Sequence, residues 1–244
     1  PKDLAGILST ITERTVFFID EIHRLKPAIE EMLYIAMEDF ELDWIIGQGA
    51  AARTVRIPIP PFTLVGATTK AGSLSSPLRA RFGICEKLNF YTVEDLTKIV
   101  IRTSKVFKIP ISEKAAMQIA KRSRGTPRIA NRLYRRVRDF ANFKSLDYIE
   151  ENECIEALNR LHIDNLGLDD VDMNYVTSLI KRFGGGPVGL ETLANSIGEE
   201  AVNLEDVYEP YLLQLGFIDR TPKGRIANKK AYSHYKLTRL LPKN

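Results

Sequence analysis

Cysteine and long apolar runs are both scarce in this sequence. Its 244 residues include two cysteines, Cys85 and Cys154, which match no metal-ligand spacing and are too few for a disulfide scaffold. No apolar run approaches the roughly eighteen residues that a membrane-spanning helix needs. These absences argue against a membrane protein and against a small disulfide-rich one, and they favour a reducing cytoplasmic compartment.

Positive charge is distributed unevenly along the chain. The formal net charge is only +4, yet residues 121–140 hold eight Lys or Arg against one acid, and residues 220–244 hold eight with no acid. Clustered cations of this kind suggest a phosphate-bearing partner, either a nucleotide or a nucleic acid. A solvated basic surface is the alternative for each cluster taken alone.

The first part of the chain predicts an α/β fold. Residues 15–19 and 62–67 are short apolar runs, typical of strands buried on both faces of a parallel sheet. A helix is predicted over 25–40, with Pro27 in its first turn, so the order is strand, helix, strand. Two alternating runs within 42–59, joined by a small and flexible link over 47–53, predict an inserted β-hairpin. The hairpin covers a sheet edge or, through an exposed Trp44 and the Ile pair Ile45 and Ile46, docks another protein.

The rest of the chain predicts helices and one basic hairpin. Apolar residues with a 3.6-residue period predict a bundle of helices over 93–106, 112–122, 127–143 and 150–161. Three further helices are predicted over 172–183, 189–198 and 204–215. A turn at Thr221–Gly224 follows them, with Pro and Gly at favoured turn positions. Three helices followed by a basic hairpin are typical of a winged helix-turn-helix.

Two carboxylates and a hydroxyl follow the predicted core strands. Asp20 and Glu21 end the first strand, and ligands of open α/β sheets bind at the carboxyl ends of strands. An Asp there can hold the water shell of Mg²⁺, and a neighbouring Glu can polarise an attacking water for phosphoryl transfer. Thr69, after the second strand, can hydrogen-bond a γ-phosphate or that water. The alternative in each case is a polar residue that simply ends a strand.

Two arginine motifs suit phosphate. Arg79 and Arg81 present planar forks of donors, and one of them could complete a neighbouring subunit's nucleotide site; surface salt bridging is the alternative. Thr126 as N-cap and Pro127 as first helical residue place Arg128 in the first turn of its helix. The helix dipole opposes a cation there by about 0.3–1 kcal/mol. An external anion such as a nucleotide phosphate would offset that cost, whereas an ordinary exposed arginine would tolerate it.

The basic hairpin is the candidate nucleic-acid contact. Arg220, Lys223 and Arg225 lie on or beside its turn, from which cations can reach a groove and contact phosphates. Nothing in the hairpin resembles a base-reading pattern, so we expect binding that is independent of sequence and sensitive to salt. A solvated basic turn is the alternative.

Five motifs in order resemble those of the RuvB family of AAA+ ATPases, and the resemblance spans nearly the whole chain. They are Phe18–Leu25, Gly66–Gly72, Pro77–Gly83, Arg124–Arg132 and Gly184–Leu190. The resemblance implies an α/β fold with a partial AAA+ core on a parallel sheet, then a helical lid domain and a winged-helix DNA-binding domain. It also implies an ATP-driven motor of Holliday junction branch migration, active in recombination and DNA repair.

The resemblance assigns roles to the candidate residues. Asp20 and Glu21 match the Walker B pair, with Asp20 holding Mg²⁺ through water and Glu21 activating water, and Thr69 matches sensor 1. Arg81 matches the arginine finger, which acts on ATP bound by the adjacent subunit, and Arg128 matches sensor 2. Residues at positions where the family contacts nucleotide are Glu38, Asp39, Phe40, Arg81, Tyr91 and Arg128.

The resemblance also implies partners. Arg220, Lys223 and Arg225 match the wing that contacts duplex and Holliday junction DNA. The hairpin 42–59 matches the element that docks on RuvA, and the family assembles as a homo-hexamer that works with RuvC in the resolvasome. Expected domain boundaries are 1–90 for the ATPase core, 91–166 for the lid and 167–244 for the winged helix.

One family feature is missing from the sequence. There is no glycine-rich phosphate loop of the form G-x-x-x-x-G-K-[ST], and the first residue is Pro1. We therefore expect the chain to be the C-terminal portion of a longer protein and inactive alone in ATP hydrolysis. A non-catalytic remnant that binds DNA and a partner is the alternative, and the upstream reading frame discriminates the two. A clamp-loader subunit is a third hypothesis, against which the winged helix argues.

Overall fold

The computed structural model describes residues 2–46 and 53–234, and the chain divides into two compact units, Pro1–Lys87 and Leu88–Asn244. None of the described helices is both long and apolar enough to cross a membrane. The elements of the first unit are, in chain order, α1 (Lys2–Ser9), β1 (Val16–Ile19), α2 (Pro27–Glu38), β2 (Glu41–Ile46), β3 (Arg53–Pro58), β4 (Thr63–Gly66) and α3 (Ser76–Arg81).

The predicted parallel sheet is present in the first unit. Strand β1 pairs in parallel with β4, so that Val16 lies opposite Thr63 and Ile19 lies opposite Gly66. Helix α2 connects them in sequence, and Pro27 occupies its first position, where the missing N–H costs no hydrogen bond. The order strand, helix, strand is therefore confirmed, and both strands end at the same edge.

The expectation that β1 is buried on both faces is wrong for the described part of the unit. Phe17 and Ile19 pack against the core that α1 and α2 cover. Val16 and Phe18 are 65% and 57% exposed. Successive side chains of a strand point to opposite faces, and no described element of this unit covers the second face.

The predicted hairpin is also present. Strands β2 and β3 pair antiparallel, with Glu41 opposite Pro58 and Ile46 opposite Arg53. Residues 47–52 of the predicted flexible link lie outside the described residues, as do the side chains of Trp44, Ile45 and Ile46, on which the docking prediction rests.

The second unit begins with the predicted helical bundle. It consists of α4 (Val93–Val106), α5 (Glu113–Lys121), α6 (Pro127–Phe143) and α7 (Glu151–Arg160), each within one residue of its predicted bounds. Ser112 caps α5, because its Oγ accepts a hydrogen bond from the Ala115 N–H at 3.2 Å. Tyr134 is fully buried in the shared core and donates its hydroxyl to the Ile109 carbonyl.

The winged helix follows in the same unit. Its elements are α8 (Asp170–Lys181), α9 (Leu190–Ile197), α10 (Ala201–Asn203), α11 (Glu209–Gln214), β5 (Ile218–Thr221), β6 (Gly224–Ala227) and α12 (Lys229–His234). The helix predicted over 204–215 begins earlier, at Ala201, and contains a π-helical turn over Leu204–Tyr208. Helices α1, α3 and α12 were not predicted.

Two arginines join the bundle to the winged helix. Arg124 donates from Nε to the Gly167 carbonyl at 2.8 Å and from Nη2 to Asp172 Oδ2 at 2.5 Å. Arg122, only 4% exposed, donates from Nη2 to Asn165 Oδ1 at 2.6 Å. Gly167 has φ +80°, and a Cβ there would lie 2.2 Å from the Arg122 carbonyl oxygen, so the junction requires glycine at this position.

Asp172 is the most constrained acid of this junction. It is fully buried, and it completes a capping box with Asp169 at the start of α8. Burial outweighs the attraction of Arg124 and raises the pKa of Asp172 to about 6. The folded protein therefore holds this proton more tightly than the unfolded chain does.

We expect this proton to make stability depend on pH. Between about pH 4 and pH 6 the folded state binds more protons at Asp172, so the free energy of unfolding falls as pH rises through that window. Relative to Asp172→Asn, the wild type should lose up to about 3 kcal/mol across the window, since one pKa unit is worth about 1.4 kcal/mol. Urea titrations at several pH values measure this, with Asp139→Asn, an exposed partner of Arg138, as the control. Parallel curves for wild type and Asp172→Asn would contradict the assignment.

Candidate nucleotide site and nucleic-acid interface

The shared edge of β1 and β4 brings the first set of predicted residues together. The chain leaves β1 through Asp20 and turns sharply at Glu21, whose φ of 49° is left-handed. The turn is held because the Ile22 N–H donates to the Ala67 carbonyl at 2.9 Å. A left-handed non-glycine residue costs about 1–2 kcal/mol, and such strain concentrates at functional sites.

Glu21 is the centre of a small polar network. The Thr69 hydroxyl donates to Glu21 Oε2 at 3.4 Å, which joins two residues 48 positions apart in the sequence. His23 Nδ1 lies 3.2 Å from the same oxygen and 2.8 Å from Thr68 Oγ1. His23 and Thr68 were not among the predicted site residues, although they follow the ends of β1 and β4 by four and two residues. These contacts hold the Glu21 carboxylate in one orientation.

The oxygen donors at this edge fit a Mg²⁺ ion that is bound mainly by water and substrate phosphates. The described residues contain no group of three or more His, Cys, Asp or Glu that could form a protein cage for a metal ion. Mg²⁺ commonly keeps several waters and takes one or two carboxylates together with substrate phosphates. Asp20 is exposed and uses Oδ1 to accept the Glu21 N–H at 3.0 Å, which leaves Oδ2 for a metal-bound water.

Arg81 and Glu38 meet in the first unit, although the sequence placed them in different motifs. Arg81 Nη2 lies 3.0 Å from Glu38 Oε1, and the guanidinium stacks 4.6 Å from the centre of the Tyr34 ring. Tyr34 is fixed in turn, since its hydroxyl lies 2.7 Å from Ser75 Oγ. Neighbouring Arg79 is exposed. Tyr34, on which the Arg81 guanidinium stacks, was not among the predicted site residues.

The other two residues of 38–40 differ from Glu38. Asp39 is exposed at the end of α2. Phe40 packs against the core and makes an edge-on contact with the Phe62 ring at 6.4 Å. The structure thus gives Phe40 a packing role.

Tyr91 and the Arg128 loop lie together in the second unit. The Tyr91 N–H donates to the Gly125 carbonyl at 2.9 Å. Gly125 has φ +70°, and a Cβ there would lie 2.7 Å from Phe90 Cβ, so the close approach depends on glycine. Arg128 is exposed in the first turn of α6 and has no hydrogen-bond or ion-pair partner among the described residues. Thr126 sits at the N-cap position without a side-chain cap, because its hydroxyl donates to the Arg124 carbonyl instead.

The three wing cations have different surroundings. Arg220 and Arg225 lie opposite each other on β5 and β6, and both donate to the fully buried Glu209 through Nε, at 2.6 and 2.9 Å. Both also approach Glu205. Lys223 lies exposed at the turn, with no hydrogen-bond or ion-pair partner among the described residues.

Glu209 is the functional residue that sequence reasoning missed at the wing. Besides the two arginines it accepts a hydrogen bond from the Tyr175 hydroxyl at 2.7 Å, and burial together with this carboxylate raises the pKa of Tyr175. The available signal was an acid in the predicted helix over 204–215, shortly before the basic hairpin. The cluster fixes the hairpin against α8 and α11.

Comparison with known proteins agrees with this geometry. Residues 1–88 match the family model of the Holliday junction DNA helicase RuvB P-loop domain, residues 91–164 that of the RuvB AAA lid domain, and residues 165–236 that of the RuvB C-terminal winged helix domain.

Individual relatives agree as well. The Holliday junction branch migration complex subunit RuvB of Treponema denticola is 62% identical over 234 residues, covering 96% of this chain and 68% of the relative. The Treponema pallidum subunit is 60% identical, covering 96% and 67%. A solved structure of the Thermotoga maritima RuvB Holliday junction branch migration motor is 49% identical with a TM-score of 0.84, covering 99% of this chain and 75% of that one. The chain therefore belongs to the RuvB family of AAA+ ATPases.

Proposed function

We propose that the chain acts in an ATP-driven motor that moves Holliday junctions by branch migration in recombination and DNA repair. The contact between Glu21 and Thr69 carries the proposal, because it joins the ends of two parallel core strands into one site for phosphoryl chemistry. Membership in a family with a P-loop domain supports nucleotide binding at this site, and the nucleotide we propose is ATP, hydrolysed in a reaction that DNA stimulates.

At this edge Glu21 is the group that orients the attacking water. Its carboxylate accepts a hydrogen bond from that water and thereby aligns the oxygen with the γ-phosphate. Thr69 and His23 hold the carboxylate, so its position does not depend on the nucleotide. Asp20 holds Mg²⁺ through water, and the ion when bound neutralises phosphate charge.

Two arginines act on the phosphates from other places. Arg81 serves as the finger for ATP of an adjacent subunit, and its platform on Tyr34 and Glu38 holds the guanidinium until that ATP arrives. Arg128 contacts the γ-phosphate from the lid. The negative charge of the phosphate offsets the unfavourable interaction between the Arg128 cation and the helix dipole. Tyr91, Glu38, Asp39 and Phe40 complete the proposed nucleotide contacts, with Phe40 contributing through backbone and packing.

The family assignment also supports a set of proposed partners. The wing contacts duplex and Holliday junction DNA through Lys223, with Arg220 and Arg225 shaping the hairpin beside it. The hairpin 42–59 docks RuvA, RuvC joins in the resolvasome, and six copies form the ring.

The proposed domain boundaries are residues 1–90 for the ATPase core, 91–166 for the lid and 167–244 for the winged helix.

A test of the ATPase roles must supply the phosphate loop, because the chain contains no G-x-x-x-x-G-K-[ST] sequence. We expect Arg81→Ala, in this chain joined behind the P-loop segment of the Treponema denticola relative, to lower DNA-stimulated ATP hydrolysis by about a thousandfold or more. Nucleotide binding should change little, since the residue serves a neighbour's site.

The control is Arg79→Ala, the exposed neighbour, which should retain turnover. Normal hydrolysis by Arg81→Ala would refute the finger assignment. If the fused chain with its own residues fails to hydrolyse ATP but still binds DNA, the non-catalytic DNA-binding hypothesis replaces the motor.

We expect substitutions in the wing to distinguish a residue that contacts DNA phosphate, Lys223, from one that stabilises the fold of the wing, Arg225. Lys223→Ala should weaken binding to all duplex sequences equally and reduce the slope of log K against log salt by about one, with stability unchanged. Arg225→Ala should lower the free energy of unfolding by about 3 kcal/mol, because it leaves the buried Glu209 with only part of its charge compensation. Fluorescence anisotropy at several salt concentrations and urea unfolding measure the two effects. A loss confined to one DNA sequence would contradict phosphate-only contact.

A further inference from the structure

Two clusters of polar contacts within the second unit, one at the wing and one at the loop that carries Arg128, share helices α8 and α11. At the wing end, Glu209 binds Arg220 and Arg225. At the other end lies Arg124, which is four positions before Arg128 in the chain. Arg124 donates to Asp172 and to the Gly167 carbonyl. The proposed ATPase chemistry uses none of Arg124, Asp172 and Tyr211.

We propose that Arg124 is a positioning residue that couples the DNA-binding wing to the nucleotide-sensing loop, residues 124–128, through α8 and α11. The inference rests on the proposed function, since it needs DNA at the wing and nucleotide at Arg128. It adds a physical connection between the two sites.

The loop end of this connection is tightly defined. Arg124 has a left-handed φ of 51°, and the side chain is 11% exposed, so its backbone conformation is held by its guanidinium contacts. The next residue, Gly125, is also left-handed and accepts the Tyr91 N–H through its carbonyl. The backbone that bears the Arg124 side chain therefore continues directly into the carbonyl that accepts the Tyr91 N–H and into the helix turn that carries Arg128, and we expect a displacement of the guanidinium to reach both.

Two helices lead from Arg124 to the wing. Along α8, Asp172 and Tyr175 are both fully buried and three residues apart, hence on one face, and Tyr175 donates to Glu209. Along α11, the Arg124 guanidinium lies 4.9 Å from the centre of the Tyr211 ring, two residues after Glu209. The Tyr211 hydroxyl donates to the Leu166 carbonyl at 2.6 Å, which fixes the ring beneath the guanidinium.

Coupling between two binding sites is reciprocal, so it can be read in either direction. If nucleotide at Arg128 alters the affinity of the wing for DNA, DNA at the wing must alter the affinity for nucleotide by the same factor, and we expect this change to act through the Arg128 loop. The hydrogen bond from the Tyr91 N–H to the Gly125 carbonyl reports on that loop without catalysis.

The experiment measures hydrogen exchange of the Tyr91 amide in this chain, at pH 7.5, with and without a duplex of about two helical turns. We expect the duplex to slow exchange about fivefold or more in the wild type, as a typical coupling would. In Arg124→Gln and in Asp172→Asn the duplex should have little effect on this amide. Arg124→Lys, which keeps the charge opposite Asp172, should restore part of the response.

The matched control is Arg138→Gln, because Arg138 contacts Asp139 and Phe107 within the bundle and nothing described in the winged helix. It should respond to DNA as the wild type does. Thermal unfolding of each variant identifies any that fails to fold, and Asp172→Asn and Arg124→Lys then carry the comparison.

The outcomes separate this inference from the proposed function. If the wild type binds the duplex but its Tyr91 exchange does not change, or if Arg124→Gln and Asp172→Asn respond like the wild type, the coupling role is wrong and the DNA-binding function stands. If the wild type does not bind the duplex, both the proposed function and the coupling are wrong.

Discussion

Pairing of buried carboxylates with arginine is the constraint on which the second unit depends. Asp172 and Glu209 are both fully buried, and each is compensated by guanidinium donors from a different element. A buried charge that loses its partner costs about 3–5 kcal/mol, so these pairs hold their elements in one geometry. Asp172 fixes the bundle to the winged helix, and Glu209 fixes the wing to the helices below it.

The first unit depends on a backbone constraint instead. Parallel pairing of β1 with β4 brings two strand ends to one edge, and the left-handed turn at Glu21 directs its carboxylate toward Thr69. The polar groups at this edge stay accessible, as phosphate chemistry requires. The acids at this strand edge are therefore accessible, whereas Asp172 and Glu209 of the second unit are buried and hold elements together.

Arginines in similar sequence motifs have different surroundings in this structure, so residue type alone does not give their role. The sequence contains several arginines in motifs that suit phosphate, and composition alone treats them alike. In the structure, Arg128 is exposed without a partner among the described residues, Arg81 rests on Tyr34 and Glu38, and Arg225 binds a buried carboxylate. A guanidinium that is paired with a buried carboxylate fixes the position of the strand or loop that carries it, whereas an exposed guanidinium is accessible to an external anion.

Most of the fold could be predicted from the sequence, because apolar periodicity and turn residues are local properties. The four bundle helices, the hairpin β2–β3, the parallel pair and the wing all follow from them. Short helices such as α1 and α3 could not, since six to eight residues carry too little pattern. The exposed face of β1 was also missed, because coverage of a strand depends on elements elsewhere in the chain.

The family motifs, the acids at the strand ends and the basic clusters can all be read along the chain before it is folded. Which of their side chains meet becomes visible in the folded protein: Glu21 with Thr69, Arg81 with Glu38, Arg124 with Asp172, and the wing arginines with Glu209. The physical reason is that ion pairing and burial depend on distance in space, and these partners are 11 to 48 residues apart in the chain.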